Sequence, residues 1–132
     1  MKLQVIDSSV LVARFIIKDK FHKQAVRVIR GLYKGQRLFH TSMLVPVEVV
    51  GAVGRQVGNK EAMKAQRILN VWKRKGYINL YELNQPRMES ARNMAISHRL
   101  KGADAVIVQI AQELKLPMIS YDTNINKAAK SL

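Results

Sequence analysis

Leu3-Gln4-Val5-Ile6-Asp7-Ser8-Ser9-Val10-Leu11-Val12 is an apolar run that stops at an acid and resumes after two serines. Leu3 to Ile6 reads as a short buried strand ending at Asp7. Ser8 and Ser9 are candidate N-caps for an apolar helix from Val10 to Ile17. Near the other end, Pro117-Met118-Ile119-Ser120-Tyr121-Asp122 repeats the pattern: an apolar strand, again closed by an acid, ahead of a short helix from Thr123 to Lys130.

Between these ends, strands and helices alternate. A helix from about Phe21 to Tyr33 puts Ala25, Val28, Ile29 and Leu32 on one face, and Gly31 and Gly35 mark its end. Arg37 to Thr41 is the second strand. Ser42 caps a third helix, Met43 to about Val57, with Pro46 tolerated in its first turn. Gly58-Asn59 closes it. A fourth helix, about Lys60 to Lys75, carries Ala62, Ala65, Leu69 and Trp72 on one stripe. Tyr77 to Leu83 is the third strand, Pro86 to Leu100 the fifth helix and Ala103 to Leu116 the sixth. This order predicts an α/β fold, a three-layer α/β/α sandwich around a mainly parallel sheet of four or five strands. With 132 residues and no linker, repeat or low-complexity tract, one domain over 1–132 suffices.

Twenty-three Lys and Arg stand against nine Asp and Glu, a formal net charge of +14. Such a field draws polyanions, and RNA or DNA is the leading partner; a plain solvated surface is the alternative. Arg27, Arg30 and Lys34 form one helical stripe, and Lys60, Lys64, Arg67 and Arg74 another. Either stripe suits phosphate contacts, and either suits a solvated face equally well. No apolar run approaches the ~20 residues needed to span a bilayer, so no membrane partner is expected. The first residues lack the apolar core of a signal peptide. The absence of Cys excludes disulfides and thiolate zinc sites and fits a reducing cytoplasm.

In so basic a chain the placement of the acids is informative. Asp7 and Asp122 follow strands, and ligands of parallel α/β sheets sit at the carboxyl ends of strands. Asp104 begins an apolar helix, and Glu48 lies inside the apolar stretch Leu44-Val-Pro-Val-Glu-Val-Val-Gly-Ala-Val53. Carboxylates gathered in one pocket repel each other, and a hard divalent cation such as Mg²⁺ or Mn²⁺ resolves the repulsion. Asp7, Asp104 and Asp122 fit helix N-caps as well as they fit ligands. Glu48 caps nothing, and pairing with an Arg is its alternative. His22, His40 and His98 share no ligand spacing, Trp72 lies on a packing stripe, and the methionines read as core or interface filler.

The stretches Val5-Ile-Asp-Ser-Ser-Val-Leu-Val12, Val45-Pro-Val-Glu-Val-Val-Gly-Ala-Val53, Leu100-Lys-Gly-Ala-Asp-Ala-Val-Ile-Val108 and Ile119-Ser-Tyr-Asp122 resemble PIN domains, especially VapC-type toxins, in the same order over nearly the whole chain. The resemblance implies a PIN-like fold with Asp7, Glu48, Asp104 and Asp122 as a catalytic, metal-binding quartet for Mg²⁺ or Mn²⁺. Ser9 matches the small polar position beside the first acid, and Ser120 the Ser or Thr two residues before the last. It implies endoribonuclease activity on RNA leaving a 3′-hydroxyl and a 5′-phosphate, a homodimer, and inhibition by a small antitoxin protein. Two departures stand out: Asn124 is neutral where many relatives carry a further acid, and a final edge strand after the last helix is missing. An RNA-binding module with weak or no catalysis, acting in RNA processing or ribosome assembly, is the alternative. A nucleotide-binding enzyme ranks lower, because Asp-Ser-Ser stands where a Gly-rich phosphate loop would follow the first strand.

Overall fold

The computed structural model describes residues 1–132. In chain order the elements are β1 (Lys2–Ile6), α1 (Ser8–Phe15), α2 (His22–Tyr33), β2 (Arg37–Ser42), α3 (Leu44–Gln56), α4 (Asn59–Arg74), β3 (Ile78–Tyr81), α5 (Gln85–His98), α6 (Gly102–Leu114), β4 (Met118–Ile119) and α7 (Thr123–Lys130). The four strands form one sheet in the order β3-β2-β1-β4, and every pairing is parallel. Successive strands therefore step from β1 outward to β3, and the α5–α6 crossover then carries the chain back to the far side of β1. The direction of stepping reverses between β1 and β4, so the switch point, where parallel α/β sheets place their crevice, falls at the carboxyl ends of these two strands.

The helices cover both faces of the sheet in an α/β/α sandwich, as expected. α1 packs on α2 and α3, and α3 on α4, while α6 packs on α5, on α7 and on β1 and β2. Val5 and Ile6, adjacent in β1, point to opposite faces, and both are wholly buried. One core gathers Phe39, Leu11, Val49 and Trp72 with Ile107 and Ile110; a second joins α5, α6 and α7 through Met94, Val108 and Ile125. Trp72 packs as its stripe predicts: Nε1 donates to the Tyr33 hydroxyl at 2.8 Å, and Phe15 stacks on the ring at 5.8 Å. No helix is long and apolar enough to cross a membrane.

Local chemistry moved several boundaries. α1 begins at Ser8, because Asp7 rather than a serine is its N-cap. Ser42 acts one residue earlier than expected, its hydroxyl accepting from the Leu44 N–H at 3.1 Å while Met43 occupies the cap position. The fourth strand shrinks to Met118 and Ile119, since only these pair with β1, and the third to Ile78–Tyr81. Of the methionines read as core or interface filler, Met94 is buried in the core, and Met43, Met63 and Met88 are exposed.

Candidate metal centre

Asp7 is held at the β1–β4 crevice by both neighbouring strands. The Thr41 hydroxyl donates to the Ile6 carbonyl at 2.7 Å, and the Asp7 N–H donates to the Ile119 carbonyl at 3.0 Å. Its carboxylate, 2% exposed, is gripped on one oxygen only. Oδ2 accepts from the Ser9 hydroxyl at 2.7 Å and from the Ser120 hydroxyl at 2.8 Å, with the Ser9 N–H farther away at 3.4 Å. A hydroxyl has one proton to give. Each serine gives it to Asp7 and uses a lone pair to hold a backbone N–H, Ser9 that of Tyr121 at 3.0 Å and Ser120 that of Asp122 at 2.9 Å. The result is a fixed carboxylate whose second oxygen, Oδ1, is buried and has no hydrogen-bond partner.

A second orphan acceptor, Oε1 of Glu48, is also buried without a partner. Glu48 projects from the apolar first half of α3, and no arginine pairs with it. Burial pushes its carboxyl up, and the charges of Asp7 and Asp104 push it further. Asp104 lies in the first turn of α6, where Lys101 holds the N-cap position, so Asp104 caps nothing. Its carboxyl is raised by burial and then by Asp7 and Asp122, with Lys101 opposing. Asp122 does cap α7, its Oδ1 accepting from the Ile125 N–H at 3.0 Å. The fold thus brings Asp7 and Asp104 within charge reach of Glu48, and Asp7 and Asp122 within charge reach of Asp104, without closing three of the four predicted acids into a ready cage.

Buried acceptors that lack donors and repel each other are poorly stabilised by protein alone. The donor set, all carboxylate oxygen, fits a hard divalent cation, and the two orphan oxygens are where such a cation has most to offer.

Both basic stripes are exposed. Arg27 and Arg30 line a cleft of about 370 Å³ with His22 and Lys23, while Lys64 of the second stripe is paired with Glu61 at 3.3 Å. The histidines make ordinary polar contacts, His22 with the Ala13 carbonyl at 2.7 Å and His40 with the Tyr81 hydroxyl at 2.8 Å. Sequence reasoning missed the residues around the acids: Lys101, and a rim of Asp19, Lys20, Phe21 and Tyr121 that lines one cleft with Ser9 and Asp122. The adjacency of Tyr121 to two site positions was the one available signal. Roomier clefts, of about 790 and 760 Å³, lie over the α3–α4 hairpin and between the end of α1 and α4, and neither is lined by any of the four acids.

A doubly wound parallel sheet with an acidic crevice at its switch point defines a class, and sequence comparison agrees: the PIN domain description matches residues 5–131, and the chain belongs to that family. No curated protein sequence matches it. Among solved structures it is similar to VapC20 of Mycobacterium tuberculosis, described as a sarcin-ricin-loop-cleaving toxin, with a TM-score of 0.79 at 18% identity, covering 96% of this chain and 95% of that one. It is also similar to FitAcB of Neisseria gonorrhoeae (TM-score 0.65, 17% identity, 97% and 93% covered) and to a toxin–antitoxin complex from Klebsiella pneumoniae (0.62, 20%, 91% and 87%). At these identities the likeness is one of fold.

Proposed function

We propose that the protein is an endoribonuclease dependent on Mg²⁺ or Mn²⁺ and the toxin of a toxin–antitoxin pair, with Asp7, Glu48, Asp104 and Asp122 holding the cation. The observation that carries this reading is the pair of buried, unpartnered carboxylate oxygens, Asp7 Oδ1 and Glu48 Oε1, inside a crevice of mutually repelling acids. A divalent cation held there would supply Lewis acidity toward the phosphodiester and favour deprotonation of water. The chain's own part is orientation. Ser9 and Ser120 lock Asp7 so that one oxygen faces the crevice, and the α7 cap fixes Asp122. Burial and neighbouring acids raise the Asp104 and Glu48 carboxyls in the metal-free protein, so both would release their protons as they take up the cation. The +14 charge gathers RNA toward this acidic spot.

Toxin standing is supported by likeness to VapC20 and to the Klebsiella toxin–antitoxin complex. A cytoplasmic homodimer is part of the reading, with Met43, Leu44, Val47 and Met63 of the α3–α4 region as the apolar surface for a second copy or an antitoxin. Asp7→Asn and Asp104→Asn, assayed on structured RNA, should abolish Mg²⁺-dependent cutting; undiminished cutting rejects the assignment. The neutral, exposed Asn124 favours a second reading, an RNA-binding module with little catalysis. Calorimetric titration with Mn²⁺ separates the two, since only the nuclease requires saturable binding.

A further inference from the structure

We propose that the cleft beside the acidic crevice is a nucleobase-stacking subsite for single-stranded RNA, built on the Phe21–Tyr121 pair with Lys20 at its rim. It rests on the reading of the crevice as the cleavage centre, because it places one base next to the phosphodiester being cut. The cleft encloses about 300 Å³ and is lined by Ser9 and Asp122, so it adjoins the acids at these two residues.

Phe21 sits just before α2 and Tyr121 between β4 and α7, and the fold stacks their rings at 4.5 Å between centroids and 19° between planes. Both are only partly buried, unlike Trp72 and Phe39, which fill the core. Every base has a π-face, and a rigid aromatic pair accepts one without ordering new side chains. Lys20 is exposed, and its ammonium lies over the Phe21 ring, 5.0 Å from the centroid; on this flexible side chain it can move aside to a backbone phosphate when a base stacks.

The Tyr121 hydroxyl is buried without a hydrogen-bond partner, so the ring and not the hydroxyl is what the cleft presents, and one polar group beside it is free for a ligand. Asp19 uses Oδ1 to hold the Phe21 N–H at 2.8 Å, which fixes the ring's backbone and leaves Oδ2 for an amino or imino donor on a base edge.

Short single-stranded RNAs carrying one 2-aminopurine, titrated in EDTA so that cutting does not intervene, test the subsite through fluorescence quenching by stacking. Wild type should quench. Phe21→Leu and Tyr121→Leu should bind about ten-fold more weakly with quenching lost, and Lys20→Gln about three-fold more weakly with a shallower salt dependence. Mn²⁺ affinity should be unchanged in all three. Equal quenching and affinity in wild type and both leucine variants overturns the subsite. Should circular dichroism show the leucine variants unfolded, Lys20→Gln decides, and unchanged affinity and salt slope overturn it. Quenching that depends on Phe21 and Tyr121 in a protein that never cuts RNA with Mn²⁺ supports the subsite and sinks the nuclease reading instead.

Discussion

Replacing Glu48 by Gln should stabilise the metal-free fold at neutral pH while weakening cation binding. Glu48 Oε1 is buried without a partner, and burial together with Asp7 and Asp104 holds its carboxyl above the ordinary range. The folded state then binds this proton more tightly than the unfolded chain does. Stability is greatest below the ordinary glutamate value, falls as pH rises through the window up to the folded value, and carries the full penalty above it. Glutamine keeps the shape, removes the charge and can donate an N–H to a neighbouring carboxylate. A buried polar atom left unsatisfied costs about 1–3 kcal/mol; for this half-buried side chain the lower part, about 1–1.5 kcal/mol, applies. In a domain of this size that is a Tm rise of about 3–6 °C. Circular dichroism melts in EDTA should show the gap at pH 7 and its narrowing near pH 4. Mn²⁺ at a hundred times its Kd should then add about 2.7 kcal/mol to wild type and less to the variant. A variant that melts at or below wild type in EDTA at pH 7 refutes the picture of repelling carboxylates.

Ser120→Ala removes one of the two hydroxyl donors to Asp7 Oδ2; it should cost about 1.5–3 kcal/mol in urea unfolding and about ten-fold or more in Mn²⁺ affinity. Trp72→Ala removes the ring that joins Phe15 and Tyr33, and denaturant titration should show a loss of about 3–5 kcal/mol. Arg27→Gln combined with Arg30→Gln should flatten the salt dependence of single-stranded RNA binding by about 1.4 in log–log slope. The same change at Lys64, already paired with Glu61, should do less.

The first strand and the places of the four acids at strand ends and in helices were legible because local sequence carries them; their grouping as one quartet came from the resemblance. An apolar run closed by Asp7 has few readings, and Glu48 amid valines has fewer. Of the two readings the sequence left open for Asp104, the cap is removed by Lys101 taking the cap position. For Asp7 and Asp122 the two readings are compatible, since capping occupies only one oxygen of each. The strand order was not legible, because it depends on where the α5–α6 crossover lands, and no local pattern records that. The same holds for Phe21 and Tyr121, whose contact exists only after the sheet has closed. Ser9 and Ser120 were singled out by resemblance alone; their shared grip on one Asp7 oxygen needed coordinates.

The two-residue β4 bears on solubility. A sheet border offers free peptide groups on which another molecule can template, and long flat borders nucleate fibres. Met118 and Ile119 present too short a row for that, and the chain turns into a polar segment at once. High protein concentration should therefore be tolerated on this side without ordered aggregation.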